Sequence, residues 1–445
     1  MVLFTQSDRG ISLAHGRTQR FAVFATLYAA QGVPVGFISV AIYAWLAEEG
    51  FSPGNVAMVA GIAGAPWALK LFWGPLVDRY QYVSMGHRRP WVLGAQAGLI
   101  AAALGAALLH GPRHSILVLA FALFAQGLFA SLQDVAVDAL AIDVLPEDEL
   151  GRANGYMFVG KLVGYAMGGA GLSWVLARHG LRAASVAEAL LLIPPFLIML
   201  LAREKPSDRM FPWSSPSASE QRAAPRFHDT RVLLKQVFAA LLVRSSVATA
   251  GGVLLAVTAN TLALAAFKVH VVQQLGWRST QLSLYLGAFG AVAALVGAGV
   301  CVLVIDRLGR VRLLVIVVAS IAVLSGAFGL ASPLWTERYL VVAFLLLNSL
   351  LLAAAVVGIN ALCMDLSVPA IAGTQYAVYM AIFNASTVLG NTLAGVVAQL
   401  LSMPALFMAL PVINTLAILL VRRVDPEEVR RRFEHDALPA APGGP

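Results

Sequence analysis

The sequence predicts an all-α integral membrane protein with twelve transmembrane helices in two six-helix bundles. Its composition is the first observation, because 59% of the 445 residues are hydrophobic and 12% are charged, whereas soluble domains are about a quarter charged. The second observation is that apolar runs of about 20 residues, enough to cross a bilayer, fill nearly the whole chain. The third is a repeat of charged motifs between the two halves of the chain.

The apolar runs define twelve predicted spans. Those of the first half lie at 21–46, 55–77, 91–110, 115–143, 153–177 and 183–202. Those of the second half lie at 233–270, 280–304, 312–331, 338–364, 374–400 and 404–421. The seventh region is too long for one straight helix, so we expect an amphipathic lead-in at 233–245. The predicted division is an N-terminal bundle at 1–202, a cytoplasmic linker at 203–231, a C-terminal bundle at 232–422 and a cytoplasmic tail at 423–445.

The distribution of basic residues predicts the orientation. If the N-terminus is cytoplasmic, most Lys and Arg residues fall in the inner segments, and the outer loops hold only Arg113, Arg178, Arg182, Arg278 and Arg338. The positive-inside rule then places both termini in the cytoplasm. An even number of spans is required, and we expect a multi-pass protein of a bacterial inner membrane.

Charged motifs recur at matching places in the two halves. Asp143 is followed eight residues later by Gly151, and Asp365 is followed by Gly373 at the same spacing. Two repeated six-helix halves are typical of secondary transporters. Another set of charged residues follows the second span of each half. It is either a cytoplasmic gate or a plain topology signal, and it comprises Asp78, Arg79, Arg88, Arg89, Asp306, Arg307 and Arg310.

Four charged side chains are predicted to share one depth inside the first half: Lys70, Asp134, Asp138 and Lys161. Counted along the helices, three of them lie about 12 to 13 Å from the inner surface and Asp138 about 7 Å. Each charge costs about 2.5–3.5 kcal/mol in lipid, so the four should face inward and pair. The sequence leaves two interpretations open, a proton relay or substrate-charge site in a water-filled cavity, and a fixed ion-pair cluster.

Asp134 and Asp138 are the candidates for proton coupling. They are four residues apart and therefore lie on one helix face. Repulsion between two close carboxylates favours protonation of one of them. Lys70 or Lys161 would oppose this effect by neutralising either acid.

Uncharged polar residues supply a candidate substrate cavity. In the first span, Tyr28 and Gln31 precede Pro34, which should kink the helix as cavity-lining membrane helices tolerate. Each residue of this set is also explained by ordinary packing between helices. The set comprises Tyr28, Gln31, Gln126, Asn260, Asn360 and Tyr379.

No motif indicates an enzyme, a cofactor or a metal site. The stretch from Gly155 to Lys161 has the spacing of a phosphate-binding loop, but Leu162 stands where Ser or Thr belongs and the segment enters a span. The two cysteines, Cys301 and Cys363, lie inside apolar runs. The net charge of +8 is spread over short loops, which argues against a nucleic-acid partner. We expect a monomer whose partners are a small-molecule substrate and the lipid bilayer.

Several motifs carry a family resemblance. They are Gln31-Gly32-Val33-Pro34, the segment from Pro66 to Arg79, Arg88-Arg89-Pro90-Trp91, and Gln133-Asp134 with Asp138 and Asp143. The layout resembles the major facilitator superfamily over nearly the whole chain. Within it, these motifs of the first 150 residues resemble the AmpG-type muropeptide permeases and their acetyl-CoA transporter relatives. Several members of that family have extra C-terminal spans, whereas this chain stops at twelve.

The resemblance implies a secondary transporter that works by alternating access and imports muropeptides or a similar amphiphilic solute with protons. It implies roles in that process for Lys70, Asp78, Asp134 and Asp138. The substrate would lie between the halves near mid-membrane. The alternatives are an efflux transporter for drugs or metabolites and a non-transporting membrane assembly factor on the same fold.

Overall fold

A computed structural model describes residues 11–13, 16–80, 85–109, 115–204, 208, 230–368, 372–425, 427–429 and 431–432. These residues are mostly helical. Two short strands, Ile11–Ser12 and Ala202–Arg203, pair in parallel and join the N-terminal segment to the end of span 6. Most of the predicted linker and tail lies outside the described residues, as do the side chains of Asp78, Arg79 and Asp306.

The first half contains six membrane-crossing helices, numbered here as spans 1 to 6. Span 1 is Arg17–Glu48, and span 2 consists of Pro53–Ala68 and Lys70–Arg79. Span 3 is Arg89–Ala107 and span 4 is Ile116–Val144. Spans 5 and 6 follow as one helical stretch made of Glu147–Ala166, Met167–Gly171 and Leu172–Leu201. Gly180 interrupts that stretch with non-helical backbone angles, φ 76° and ψ −179°, so span 5 is 147–179 and span 6 is 181–201.

The second half contains spans 7 to 12. A short helix, Thr230–Leu241, precedes span 7 at Arg244–Gln273, which confirms the predicted lead-in. Span 8 consists of Ser279–Ser283, Leu284–Phe289 and Gly290–Leu308. The remaining spans are 9 at Arg310–Leu330, 10 at Arg338–Asp365, 11 at Ala372–Leu400 and 12 at Met403–Val421.

The predicted number of twelve spans agrees with these helices. Ten helical stretches among the described residues are long and apolar enough to cross a membrane. One of them, Arg152–Leu201, is 50 residues long and holds two spans because of the interruption at Gly180. Span 2, which is broken at Leu69 and carries Lys70, Asp78 and Arg79, completes the twelve.

Contacts divide the chain into two compact units. The first unit is Met1–Pro225 with Val271–Val292, and the second is Arg226–His270 with Ala293–Pro445. In the first unit, Phe24, Leu27 and Val137 belong to one apolar core. In the second unit, Leu362 and Val421 belong to another. The residue boundaries predicted for the two bundles stay a prediction.

Rings of the second unit form a separate buried cluster. Phe267 contacts four neighbouring rings edge to face with centroids 5.2 to 5.9 Å apart, and those rings belong to Phe328, Trp335, Phe344 and Phe407. All five side chains are buried. Such rings bury large apolar areas, so the cluster gives spans 7, 9, 10 and 12 a rigid common core.

Spans 1 and 5 approach each other backbone to backbone. A Cβ atom at Gly160 or Gly164 would overlap the carbonyl oxygen of Ala25 or Ala29, so a larger residue would force the helices apart. Small residues at four-residue steps allow this close packing in membrane helices. The packing brings Tyr28 and Gln31 of span 1 close to Lys161 of span 5.

Three helices of the first unit contain a π-helical turn. These turns are Phe37–Ile42 in span 1, Met167–Gly171 in span 5 and Leu284–Phe289 at the start of span 8. The second and third touch where Gly287 meets Gly169, since a Cβ built on Gly169 would lie 3.2 Å from the Gly287 Cα. π-Turns are found frequently at functional sites.

Candidate functional site

Span 2 is broken at Leu69, directly before Lys70, whose side chain lies inside the first unit. Pro66 lacks a backbone N–H, so the helix tightens there into bonds three residues long, from Leu69 N to Pro66 O at 3.1 Å and from Phe72 N to Leu69 O at 2.9 Å. A new helical segment then begins at Lys70. Breaks of this kind are tolerated in membrane helices where neighbouring groups satisfy the freed backbone.

Four charged side chains meet at this break, and this set is named here the charge cluster: Lys70, Asp134, Asp138 and Lys161. Lys70 forms an ion pair with Asp134. Its Nζ atom also lies 4.0 Å from Asp138 Oδ2, and Lys161 Nζ lies 4.0 Å from Asp134 Oδ1. The structure therefore brings together all four charges that the sequence placed at one depth.

Span 1 adds two uncharged partners to the charge cluster. The Tyr28 hydroxyl donates to Asp138 and the Gln31 amide donates to Asp134. Lys161 Nζ also lies 5.9 Å from the centre of the Tyr28 ring and 5.8 Å from that of Trp67, which is within cation–π range. The rings of Tyr28 and Trp67 therefore lie beside the ammonium group of Lys161.

The two acids differ in their access to solvent. The Asp134 side chain is 4% exposed and holds both Lys70 and Gln31, whereas the Asp138 side chain is 44% exposed. Lys161 is 35% exposed and has no carboxylate closer than 4.0 Å among the described residues. Asp134 is therefore the buried anchor of the charge cluster, and Asp138 and Lys161 are its more exposed members.

The charge cluster balances two positive against two negative charges. Ion pairing of this kind offsets the cost of about 2.5–3.5 kcal/mol for each charge within the bilayer. Taking up one proton on a carboxylate leaves one positive charge in excess, and this attracts an anion. Within the described part of the chain, no three His, Cys, Asp or Glu side chains gather into a group that could hold a metal ion.

The other predicted cavity residues are one side chain of the first unit and three of the second. Gln126 is fully buried on span 4, about two turns from Asp134. In the second unit, Asn260 donates to Asn414 Oδ1 at 3.0 Å. Tyr379 is buried and donates to Ser246 Oγ at 2.8 Å. Asn360 is half-buried on span 10. A role for these four residues in binding a substrate stays a prediction.

The two halves carry matching ion pairs, each between the start of its third helix and the end of its fourth. Arg88 Nε lies 2.8 Å from Asp143 Oδ2 in the first unit, and Arg310 pairs with Asp365 in the second. The two residues are 55 positions apart in both pairs, so the repeat seen in the sequence has a structural counterpart. Arg307, also predicted in this set, is exposed.

Arg89 is fully buried and joins span 3 to span 6. Its guanidinium group donates to Met199 O at 3.3 Å and Leu200 O at 2.5 Å, which satisfies carbonyl groups at the end of span 6. In return Glu204, just after span 6, accepts backbone N–H bonds from His87, Arg88 and Arg89 at 2.9, 2.7 and 2.5 Å. Spans 3 and 6 thereby cap each other.

Glu204 was missed by the sequence reasoning, although a lone acid between Arg203 and Lys205 directly after a span was a usable signal. It lies outside the membrane-spanning segments. Burial raises its pKa above the ordinary value of a glutamate, against the opposing effect of the three N–H bonds. A second missed group is Glu149, which binds Arg20 through both carboxylate oxygens, at 3.0 and 2.7 Å.

Comparisons with known proteins agree with the fold. The chain matches the family model of the Major Facilitator Superfamily over residues 22–380 and 249–442. It is 30% identical to the anhydromuropeptide permease of Escherichia coli K12 over 190 residues, which cover 42% of this chain and only 38% of that permease. It is 25% identical to a protein named as transporter AmpG 4 of Rickettsia conorii, over 64% of this chain and 67% of that one.

A solved structure, the inward-open xylose transporter XylE of Escherichia coli, superposes with a TM-score of 0.68 at 12% identity, over 94% of this chain and all of that one. At that identity the likeness shows the fold alone. The matching proteins are transporters rather than enzymes.

Proposed function

Because the chain belongs to the major facilitator superfamily and is a multi-pass membrane transporter, we propose that it is a secondary active transporter. In this proposal it works by alternating access and couples the uptake of its solute to protons. The solute is a muropeptide or a similar amphiphilic molecule with at least one carboxylate. The observation that carries the proposal is the charge cluster, whose members Asp138 and Lys161 are partly exposed although they lie within membrane-spanning helices.

Asp138 is the proposed proton acceptor. It is the more exposed of the two acids, and it is held by the Tyr28 hydroxyl and by Lys70 at 4.0 Å. Protonation of Asp138 removes its electrostatic attraction for Lys70. Lys70 then pairs with Asp134 alone. The charge cluster changes from neutral to a net charge of one positive unit.

Lys161 is the proposed contact for the solute. It lies at 4.0 Å from Asp134 and against the rings of Tyr28 and Trp67. A carboxylate of the solute can pair with its ammonium group, and the rings provide an apolar surface beside it. Because the proton adds positive charge and the carboxylate adds negative charge, each favours binding of the other by the same free energy. Reciprocal binding of this kind couples uptake to the proton gradient.

The substrate class is proposed from the relatives. The permease of Escherichia coli is named for anhydromuropeptides, and the chain matches about two fifths of its length. That match supports a cell-wall fragment as the solute. The D-xylose symporter with the same fold is named for protons, which supports proton coupling as part of the proposal.

The proposed location is a bacterial inner membrane with both termini in the cytoplasm. The support is the excess of Lys and Arg in the segments on that side. In this orientation Arg88 with Asp143 and Arg310 with Asp365 lie at the cytoplasmic ends of their units. Arg88 and Arg310 are members of the proposed cytoplasmic gate, and Asp143 and Asp365 are their ion-pair partners. The protein is proposed to act as a monomer.

Uptake into proteoliposomes tests the proposal. Purified protein is reconstituted, a pH gradient is imposed, and the accumulation of a labelled anhydromuropeptide is followed. We expect accumulation that collapses with a protonophore. In Asp138→Asn, accumulation should be lost while exchange of labelled for unlabelled solute persists, because that variant cannot release a proton.

The matched control is Glu337→Gln, which changes an exposed carboxylate at the start of span 10 and should transport as the unaltered protein does. Accumulation that ignores the gradient, or that survives in Asp138→Asn, contradicts proton coupling at this residue. Gradient-driven export would favour an efflux transporter. Retention of partner binding with no flux of any solute would favour an assembly factor.

A further inference from the structure

A third acid of the first unit lies in the membrane-spanning part away from the charge cluster. Glu188 stands on span 6 within the apolar sequence Val186-Ala187-Glu188-Ala189-Leu190. Its side chain is 0% exposed. Both carboxyl oxygens lack a hydrogen-bond partner among the described residues. A buried acid with no partner is rare in proteins and calls for an explanation.

The neighbour of Glu188 is an equally buried amide. Gln126 of span 4 lies beside the carboxyl group, it is 0% exposed, and neither its oxygen nor its nitrogen has a partner of hydrogen-bond geometry in the described part of the chain. Two buried side chains with complementary polar atoms therefore face each other.

The interface of spans 3 and 6 contains a further polar side chain. Gln96 follows Arg89 by seven residues, so both lie on one face of span 3. Arg89 bonds to the carbonyls of Met199 and Leu200, which identifies that face as the one packed on span 6. Gln96 is buried, and both atoms of its amide lack partners in the described structure.

The charged groups on the elements packed against span 6 are engaged elsewhere. On span 1, Arg20 binds Glu149; on span 5, Lys161 lies nearest Asp134. The Tyr165 hydroxyl of span 5 is hydrogen-bonded to Ser39. On span 6 itself, Arg182 donates to Ala107 O at 3.3 Å. At the end of span 1, Glu48 accepts from the Ser279 backbone at 3.0 Å. Among described residues no Lys, Arg or His forms an ion pair with Glu188.

We propose that Glu188 carries a proton in the folded protein and forms with Gln126 a second proton-binding site of the transporter. A charged carboxylate offers acceptors only, so it would leave the Gln126 oxygen without a donor. A protonated carboxyl donates its O–H to the Gln126 oxygen and accepts an N–H from the same amide. The neutral form thus satisfies both groups and avoids an isolated charge within the bilayer.

Two proton sites then lie along span 4. Gln126 and Asp134 are eight residues apart, about 12 Å along the helix. Glu188 is seven residues from the start of span 6 at 181, and the charge cluster lies nearer the opposite end of span 4. A part for Glu188 in coupling rests on the proposed function, but its protonation does not.

Infrared spectroscopy of the full chain in lipid vesicles tests the protonation directly. At neutral pH we expect the C=O stretching band of a protonated carboxyl, and we expect Glu188→Gln to remove it. The control Glu337→Gln should leave the band unchanged. A band that persists in Glu188→Gln, or that is absent from the unaltered protein, overturns the proposal without any reference to transport.

Gln126→Leu keeps the proposal testable if Glu188→Gln folds poorly. It should retain the band and shift it to the frequency of a carboxyl without a hydrogen bond, since the proton stays on Glu188. An unshifted band overturns the pairing with Gln126. In uptake assays, Glu188→Gln should alter the pH profile of accumulation while Glu337→Gln does not. An unaltered profile beside a lost infrared band overturns the coupling part and leaves the proton on Glu188.

Discussion

Spans 1 to 6 gather two aspartates and two lysines into one cluster, whereas spans 7 to 12 include neutral interior pairs such as Asn260 with Asn414. One end of each half nevertheless carries a matching ion pair, since Arg88–Asp143 and Arg310–Asp365 are the same pair in each repeat. A helix bundle of this kind therefore forms with or without a cluster of paired interior charges. The ion pair at the helix ends belongs to the shared architecture, whereas the charge cluster is described in the first half.

Removing Asp134, the anchor of the charge cluster, should produce the largest difference in stability between the two halves. Asp134→Ala leaves Lys70 buried without its partner, and we expect a loss of about 3–5 kcal/mol in the free energy of unfolding. The matched change in the second half, Asn414→Ala, removes the acceptor of one neutral hydrogen bond and should cost about 1–3 kcal/mol. Unfolding of both purified variants measures the two costs. Equal losses would show that the two interiors do not differ in this respect.

A double variant separates stability from transport. Asp134→Leu with Lys70→Met replaces the buried ion pair by apolar side chains, which is often neutral or stabilising. We expect the double variant to regain most of the stability that Asp134→Ala loses, yet to accumulate no solute in proteoliposomes. Recovery of uptake together with stability would reduce the charge cluster to a fixed structural element.

The pH dependence of stability should report on Glu204, which has no described counterpart in the second half. Its pKa in the folded protein is raised by burial, so its contribution to stability is complete below the unfolded value of about 4.3 and is lost as the pH rises through the folded value. Glu204→Gln should remove this decline from a series of melting temperatures. The exposed Glu337→Gln should keep it, and a decline that persists in Glu204→Gln assigns it to another group.

The smallest effects are expected at the matching ion pairs. Arg88→Ala and Arg310→Ala each break one pair near the surface, and such pairs contribute about 0–1 kcal/mol. The Arg88 side chain is 12% exposed and that of Arg310 is 46% exposed, so the first variant should lose more. Double-mutant cycles with Asp143→Ala and Asp365→Ala measure both couplings. A larger coupling for Arg310 would contradict this order.

The helices were predictable because each span depends on a long apolar run. The charge cluster was predictable for a similar reason, since charges in such runs must find each other, and counting along helices gave Lys70 and Asp134 a common depth.

What the sequence hid depends on contacts between distant segments. Glu204 caps span 3 across 115 positions of chain, and a single acid in a basic loop does not reveal its partner. Arg89 was expected at a gate, and the structure places it under the end of span 6. The buried hydrogen bond from the Tyr379 hydroxyl to Ser246 was not foreseen, and the predicted place of Tyr379 in a cavity stays a prediction. In each case the side chain is polar, and polarity alone does not distinguish a helix cap from a ligand contact.

The π-helical turns of spans 1, 5 and 8 give these helices one spare residue each. If such a turn converts to α-helical geometry, the rest of its helix revolves by about 100° around its own axis. Every backbone hydrogen bond can re-form after that step, so one part of the helix can rotate relative to the other without the helix breaking. Rotation at Phe37–Ile42 and Met167–Gly171 would re-aim the outer ends of spans 1 and 5, while the glycine contact that joins their inner parts holds still.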